Sequence, residues 1–460
     1  MRSLTLAEIA ASANATPIGP LVESVQVSRV TIDSRDARPG DLFWAIVGER
    51  FDGHDFVPQA LAAGATAAVV DRDVAASGAI LRVGNTRVAL GQFAAWYRLT
   101  CKATVVGVTG SVGKTSTREA VHAALSRRYA SVRSIKNFNN EIGVPLSLVG
   151  VGPEHEYAVI EMGASHVGEI ARLAAIARPD VGVLTAIGEA HLEGFGGIEN
   201  VAAAKTELVD ALGTTGTAVL NADDERVRRI GQAANCRVVW FGMQPGPLPL
   251  VASATEIEEA VGTVSFRLDG GPRVMLRAPG RHQVYAALAA AAVGRVAGLA
   301  DREIVAGLAD YRPTEMRCQV ERLGEVTVIN DAYNACPPSM QAALDVLDGW
   351  PTRGRRVLVC GDMKELGPRG PHLHRQLGCE IARRRSVDCL VAVGPLSANV
   401  VESARAAGMD PAAVAYCDSI DQAAGVIGRT VRPGDVVLVK GSRVMQLEKT
   451  IEPLRERFKN

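Results

Sequence analysis

The run Val105-Val106-Gly107-Val108-Thr109-Gly110-Ser111-Val112-Gly113-Lys114-Thr115-Ser116 constrains this chain more than any other stretch. An apolar segment enters a loop punctuated by glycine, and a helical pattern near 114 to 127 leaves it. Such a passage opens a βα unit of a parallel sheet, because parallel strands need a helical crossover to return. Backbone N–H groups bared by the glycines, together with the helix N-terminus, can cradle phosphates. Lys114 can neutralise β and γ oxygens, and Thr115 can ligate Mg²⁺. Strict phosphate-loop spacing places a glycine five positions before Gly113, where this chain has Val108. A plain glycine turn ahead of an ordinary helix would explain neither the Lys114-Thr115 pair nor its placement.

The rest of the middle region keeps the same rhythm. Apolar runs Ala103 to Val108, Tyr157 to Glu161, Val181 to Ala186 and Ala218 to Leu220 alternate with helical patterns near 114 to 127, 168 to 177, 199 to 212 and 223 to 234. Alternation of that kind predicts a parallel sheet covered on both faces. A second series follows at Val326 to Ile329, Val357 to Cys360, Leu390 to Val393 and Val436 to Val439. Ahead of both, short runs at Val27 to Ile32, Leu42 to Val47 and Ala67 to Val70 are separated by turn-rich text. With 460 residues, about three domains are expected. The predicted divisions are 1–86, a small α/β domain; 87–312, a central domain with a mostly parallel sheet and a phosphate loop; and 313–460, a second α/β unit. The proline-rich stretch 244–250 is read as a loop inside the second domain.

Composition excludes several function classes. Lys plus Arg, 50, equals Asp plus Glu, 50, so no overall field favours nucleic acid or an anionic membrane. The longest uncharged stretch, Val238 to Thr255, carries Pro245, Pro247 and Pro249 and cannot be a membrane-spanning helix. Glu8 interrupts any signal-like apolar run, which predicts a cytoplasmic chain. The eight cysteines show no CxxC and no zinc spacing, so reduced thiols are expected.

Further candidate residues sit where parallel sheets bind ligands. Glu161 ends an apolar strand and could hold Mg²⁺ opposite Thr115; alone it would more often be a capping or solvated acid. His191 also follows a strand, where a lone histidine is usually structural. Lys205, within Ala202-Ala203-Ala204-Lys205-Thr206-Glu207, is by default a solvated helix lysine.

Several blocks agree in order with one family. The phosphate loop, Asn137-Phe138-Asn139-Asn140-Glu141-Ile142-Gly143, Glu161-Met162-Gly163-Ala164, Ala190-His191-Leu192-Glu193-Gly194-Phe195-Gly196 and Pro279-Gly280-Arg281-His282 resemble the Mur ligases. In the C-terminal part, Asn330-Asp331-Ala332-Tyr333-Asn334-Ala335-Cys336-Pro337-Pro338, Gly361-Asp362-Met363-Lys364-Glu365-Leu366-Gly367 and Val439-Lys440-Gly441-Ser442-Arg443 are similar to the branch that adds a dipeptide. Thr31-Ile32-Asp33-Ser34-Arg35 and Phe51-Asp52-Gly53-His54-Asp55 extend the resemblance to the N-terminal part.

The resemblance implies an N-terminal substrate domain, a central ATPase and a C-terminal Rossmann-like domain. It implies ATP-dependent joining of D-alanyl-D-alanine to UDP-N-acetylmuramoyl-tripeptide through an acyl phosphate. ATP would be held by Thr109, Gly110, Ser111, Val112, Gly113, Lys114, Thr115 and Ser116, with Gln283, Arg317 and Asp331. Two Mg²⁺ would be served by Thr115, Glu161, His191 and a Lys205 that could carry a carbamate. Lys114, Glu161, His191, Lys205 and Arg317 would be catalytic. Substrate would meet Ser34, Arg35, Asn139, Asn140, Ser165 and His166, and the dipeptide Tyr333, Asn334, Lys440 and Ser442. No nucleic-acid partner is implied, and a monomer is expected. Gln283 and Cys336 stand where the family usually has Asn, and Asn330 where Asp is frequent. Two alternatives remain open at this point. One is another amino-acid-adding member, although the Asp-Asn-Pro-Arg signature of diaminopimelate addition is absent; the other is a phosphate-loop switch ATPase.

Overall fold

The computed structural model describes residues 1–18 and 25–458 and builds them around three main sheets. In the first, strands run in the order Thr16–Ile18, Ala79–Arg82, Ala67–Val70, Asp41–Trp44 and Arg29–Thr31, parallel except for the first pair. The stretch predicted as one strand, Val27 to Ile32, is divided between two. Gln26–Val27 pairs antiparallel with Leu4–Thr5, and Arg29–Thr31 joins the main sheet. Only Ser28 separates the two strands, a break too short for the sequence pattern to mark as a change of sheet. Likewise the strand expected over Leu42 to Val47 stops at Trp44, and Val47 forms an isolated bridge with Asp52.

Helix Thr86–Thr100 starts where the Asn85 side chain accepts from the N–H groups of Arg87 and Val88. Its Leu90, Phe93, Ala94 and Tyr97 pack into the first core with Trp44 and Val69. That core therefore extends past residue 86.

The central sheet has nine strands. The phosphate-loop strand Thr104–Thr109 lies between Tyr157–Glu161 and Val181–Leu184, and Ser131–Arg133, Thr217–Asn221 and Arg237–Gly242 extend the parallel part. Because the chain steps to opposite sides of Thr104–Thr109, a crevice opens beside its C-terminal end, the usual ligand position of such sheets. Beyond Arg237–Gly242, strands Leu250–Ala260, Thr263–Leu268 and Arg273–Leu276 add an antiparallel ribbon that the sequence reading did not foresee. Helix His282–Val296, which contributes a buried run Ala286 to Val293, and helix Lys114–Leu125 share the core on one face.

In the third sheet, Gln319–Leu323, Val326–Asn330, Val436–Lys440, Arg356–Gly361, Cys389–Val393 and Val414–Cys417 follow in order, parallel except for the first pair. One buried apolar cluster joins Leu184, Ile187, Leu192 and Phe195 of the central domain to Met340, Leu344, Leu366 and Leu373 of the third. The two are docked. The eight cysteines are free thiols. Among the described residues, no helix is long and apolar enough to cross a membrane.

Candidate active site

The phosphate loop is shaped by backbone that only glycine tolerates well. Gly110 holds φ +147°, and a Cβ there would stand 2.0 Å from Thr185 Oγ1; Gly113 holds φ +80° and starts helix Lys114–Leu125. Thr185 Oγ1 donates to the Val112 carbonyl at 2.6 Å, and Ser111 N–H donates to the Ala186 carbonyl at 2.8 Å. The loop is thereby stitched to the strand across the crevice. Thr109 Oγ1 donates to the Met162 carbonyl at 2.8 Å, tying the strand ends together. Lys114 Nζ donates to the Gly110 carbonyl at 2.8 Å, and burial lowers its pKa. Thr115 is buried at the helix start, and Ser116 lies beside it.

Glu161 does end its strand as expected, but it is not a solvated acid. It is 1% exposed; Asn139 Nδ2 donates to Oε1 at 2.9 Å and Arg118 Nη1 to Oε2 at 3.2 Å. Arg118 was missed by sequence reasoning, because a helix arginine ordinarily points to solvent and this one is 1% exposed. Asn140 Oδ1 accepts from the N–H groups of Ile142 and Gly143, just ahead of helix Gly143–Val149.

The default reading of Lys205 as solvated is overturned. It is 2% exposed, its Nζ has no hydrogen-bond partner, and it lies 5.6 Å from the centre of the Phe195 ring. Burial, with the Lys114 charge adding to it, pushes its pKa down to about 7. His191, at φ +54°, is hydrogen-bonded through Nδ1 to Glu365 across the domain boundary. That contact also lowers the Glu365 pKa.

Two cavities meet at this place. One, of about 420 Å³, is lined by Ser111 to Thr117, Thr185, Asn221, Gln283, Asp331 and Lys440. Gln283 is 2% exposed there; Tyr311 Oη donates to its Oε1 at 2.8 Å, and its Nε2 lies 3.0 Å from His282 Nε2. The other, of about 1190 Å³, is lined by Asn139, Asn140, Glu161, Ser165, Tyr333, Asn334 and Ser442. Lys114, His191, Arg317 and Cys336 line both. Arg317 lies 4.2 Å above the Tyr333 ring, with Nε buried and unpartnered.

Some predicted residues fall elsewhere. Lys440, expected at the dipeptide, lines the smaller cavity, with Nζ 2.5 Å from Asp331 Oδ2 and 3.0 Å from the Asn334 carbonyl. Asp331 spends its other oxygen on the Cys318 N–H at 3.0 Å. Ser442 Oγ accepts from the Lys364 N–H at 2.9 Å. Ser34 bonds Gln59, Arg35 pairs with Asp33 at the surface, and His166 is exposed beside Glu169; none of the three lines either cavity.

Family models match in the same order as the sheets: the Mur ligase family catalytic domain at residues 26–98, the Mur ligase middle domain at 108–294, and the Mur ligase glutamate ligase domain at 316–443. The chain belongs to the Mur ligase family. It is 37% identical to the UDP-N-acetylmuramoyl-tripeptide–D-alanyl-D-alanine ligase of Escherichia coli, covering 99% of both chains. It is 34% identical to the enzyme of that name from Bacillus subtilis, covering 98% of both. Among solved Mur ligases, it superposes on MurF from Acinetobacter baumannii with a TM-score of 0.88 at 32% identity, covering 99% of each chain. MurF ligase from Thermotoga maritima in complex with ADP gives 0.79 at 30% identity, covering 94% of this chain and 98% of the other. Within this Mur ligase, the residues that sequence reasoning missed are Arg118, Thr185, Tyr311 and Glu365. Only Glu365 stood inside a recognised block.

Proposed function

We propose that this chain is the ADP-forming ligase that joins D-alanyl-D-alanine to UDP-N-acetylmuramoyl-tripeptide, giving the pentapeptide, ADP and phosphate. The observation that carries the reading is the shared wall of the two cavities at Lys114, His191 and Arg317. A nucleotide in the smaller cavity would present its terminal phosphate to a carboxylate in the larger one. A carboxylate is a poor acyl donor at neutral pH, and its acyl phosphate has a good leaving group. Positioning and charge neutralisation then carry the rate. The divisions 1–86, 87–312 and 313–460 are kept as the proposed order of domains, with helix Thr86–Thr100 belonging by its packing to the first core.

The smaller cavity would hold ATP on residues 109–116, with Gln283 toward the base. Asp331, bound by Lys440, would fix the loop around the ribose. Tyr333, Asn334 and Ser442 would border the dipeptide; Ser165 and Asn139 would face the muramoyl peptide, and Ser34 and Arg35 the distant UDP end. Lys440 is reassigned here from the dipeptide to support of Asp331.

Magnesium fits the residues present. Thr115 and Glu161 are hard oxygen donors at the phosphate loop, and Mg²⁺ takes one or two such groups plus substrate phosphates. Bound there, it would neutralise phosphate charge. Glu161 is oriented for this by Asn139 and Arg118. For a second ion near His191, the orphaned amine of Lys205 supports a carbamate, since a neutral buried amine can add carbon dioxide and become a bidentate oxygen ligand. A cytoplasmic monomer completes the reading.

Phosphate release from purified UDP-muramoyl tripeptides, screened against single amino acids and D-alanyl-D-alanine, tests it. Release should require both the tripeptide and the dipeptide. Turnover of ATP with neither would favour a switch ATPase, and a response to one amino acid would favour another member of the family.

A further inference from the structure

Residues 188–195 of the central domain and 364–369 of the C-terminal domain face each other, and only His191 has so far been given a role. His191 Nδ1 is hydrogen-bonded to the Glu365 carboxylate. The Glu193 N–H donates to the Glu365 carbonyl at 3.0 Å, and Arg369 Nη1 lies 2.5 Å from Glu189 Oε1. Gly367 comes so close that a Cβ on it would stand 3.3 Å from Glu193 Cα. Behind these contacts, Leu192 and Phe195 share a buried cluster with Leu366 and Leu373.

The backbone supplies an independent observation. His191 and Glu365, bonded to each other across the boundary, both hold left-handed backbone, with φ of +54° and +62°. Non-glycine residues avoid that region, and it persists where the surroundings over-determine it, most often at working sites. Here each strained residue is held by the other's domain.

We propose that these loops form an interdomain latch in which Glu365 is a positioning residue for His191, while Glu189 and Arg369 hold the two loops in register. With Nδ1 bound to Glu365, Nε2 is the nitrogen left for a ligand. His191 lines both cavities, so its ring takes its working orientation only when the C-terminal domain is docked. Docking is also what completes the wall formed by Arg317 and Cys336. Completion of the cleft and orientation of His191 are thus one event. The inference rests on the ligase reading above.

The test uses full-length variants Glu365→Ala, Glu365→Gln, Glu189→Arg, Arg369→Glu and the double exchange Glu189→Arg/Arg369→Glu. Phosphate-release kinetics are read with ATP, UDP-muramoyl tripeptide and D-alanyl-D-alanine, and small-angle scattering is read with and without ADP. Glu365→Ala should lower kcat at least tenfold while KM for ATP moves less than twofold. Glu365→Gln keeps an acceptor for the imidazole and should recover most of the loss. Each single charge reversal should cost two- to fivefold in kcat/KM for the dipeptide, the range of a half-exposed ion pair, and should enlarge the particle with ADP. The double exchange should return both readings to near wild type. Wild-type kcat in Glu365→Ala, or a double exchange as impaired as the two singles combined, overturns the latch. Should Glu365→Ala fail to fold, the Gln variant and the charge exchange decide. A wild-type chain that forms no product with any dipeptide sinks the ligase reading instead, and scattering of the exchange series then still decides the latch.

Discussion

Lys205 in the central domain and Lys440 in the C-terminal domain are both nearly out of solvent, at 2% and 3% exposure, and their surroundings could hardly differ more. Lys440 pairs with Asp331 and donates to the Asn334 carbonyl. Lys205 has no hydrogen-bond partner, and burial pushes its pKa down to about 7. A charge removed from water must be paired or given up. Lys440 follows the first course and fastens the loop at 331–336 to its sheet. Lys205 moves toward the second, so that near pH 7 a large share of it is the neutral, nucleophilic amine.

A third lysine sets the top of the scale. Lys114 faces both cavities, so Lys114→Ala should lower kcat by about 10² to 10³, the size seen when one preorganised donor is lost from a transition-state site. Steady-state phosphate release measures it, and near wild-type turnover would remove the phosphate loop from the chemistry. Lys205→Ala should be almost as inactive, yet keep its fold and regain turnover with acetate or another short carboxylate. A plain lysine in a well-resolved Mg-ATP complex, together with no rescue, would break the carbamate half of the contrast.

Stability should separate the pair the other way round. Lys440→Met leaves Asp331 buried and unpaired and should cost about 3 to 5 kcal/mol in urea unfolding. Lys205→Met removes an unpaired group and should be neutral or stabilising. In buffer depleted of carbon dioxide, pH sharpens the point. The folded pKa of Lys205, about 7, lies below its ordinary 10.5, so between those values the unfolded chain binds more protons and stability rises with pH. Lys205→Met should flatten that rise; an unchanged slope would mean that another group causes it.

The smallest effect is expected at Gln283, which is committed to its neighbours rather than unpaired. Gln283→Ala should raise KM for ATP by the worth of one or two hydrogen bonds, about 0.5 to 1.5 kcal/mol each, and leave KM for the dipeptide nearly unchanged. A shift in the dipeptide KM instead would mean the two cavities have been given to the wrong ligands.

Much of the architecture was readable because its signals are local. Strands Thr104–Thr109, Tyr157–Glu161 and Val436–Lys440 fall within a residue or two of their apolar runs. The antiparallel ribbon from Leu250 to Leu276 was not, since its half-exposed strands carry charges such as Glu256, Glu258 and Arg267 that read as loop or helix. Arg118 escaped for a related reason: nothing in its neighbourhood on the chain separates an arginine aimed into a core from one aimed at water.

By itself the sequence determined the phosphate loop, the alternation of strands and helices and the order of the three units. These depend on glycine at special backbone angles and on apolar period, which act over a few residues. Only the tertiary structure decided which charges are paired. Arg118 meets Glu161 across 43 residues of chain, Lys440 meets Asp331 across 109, and His191 meets Glu365 across 174. Burial and partnership set what a lysine, a histidine or a glutamate can do, and both are properties of the packed neighbourhood rather than of the residue or its neighbours in sequence.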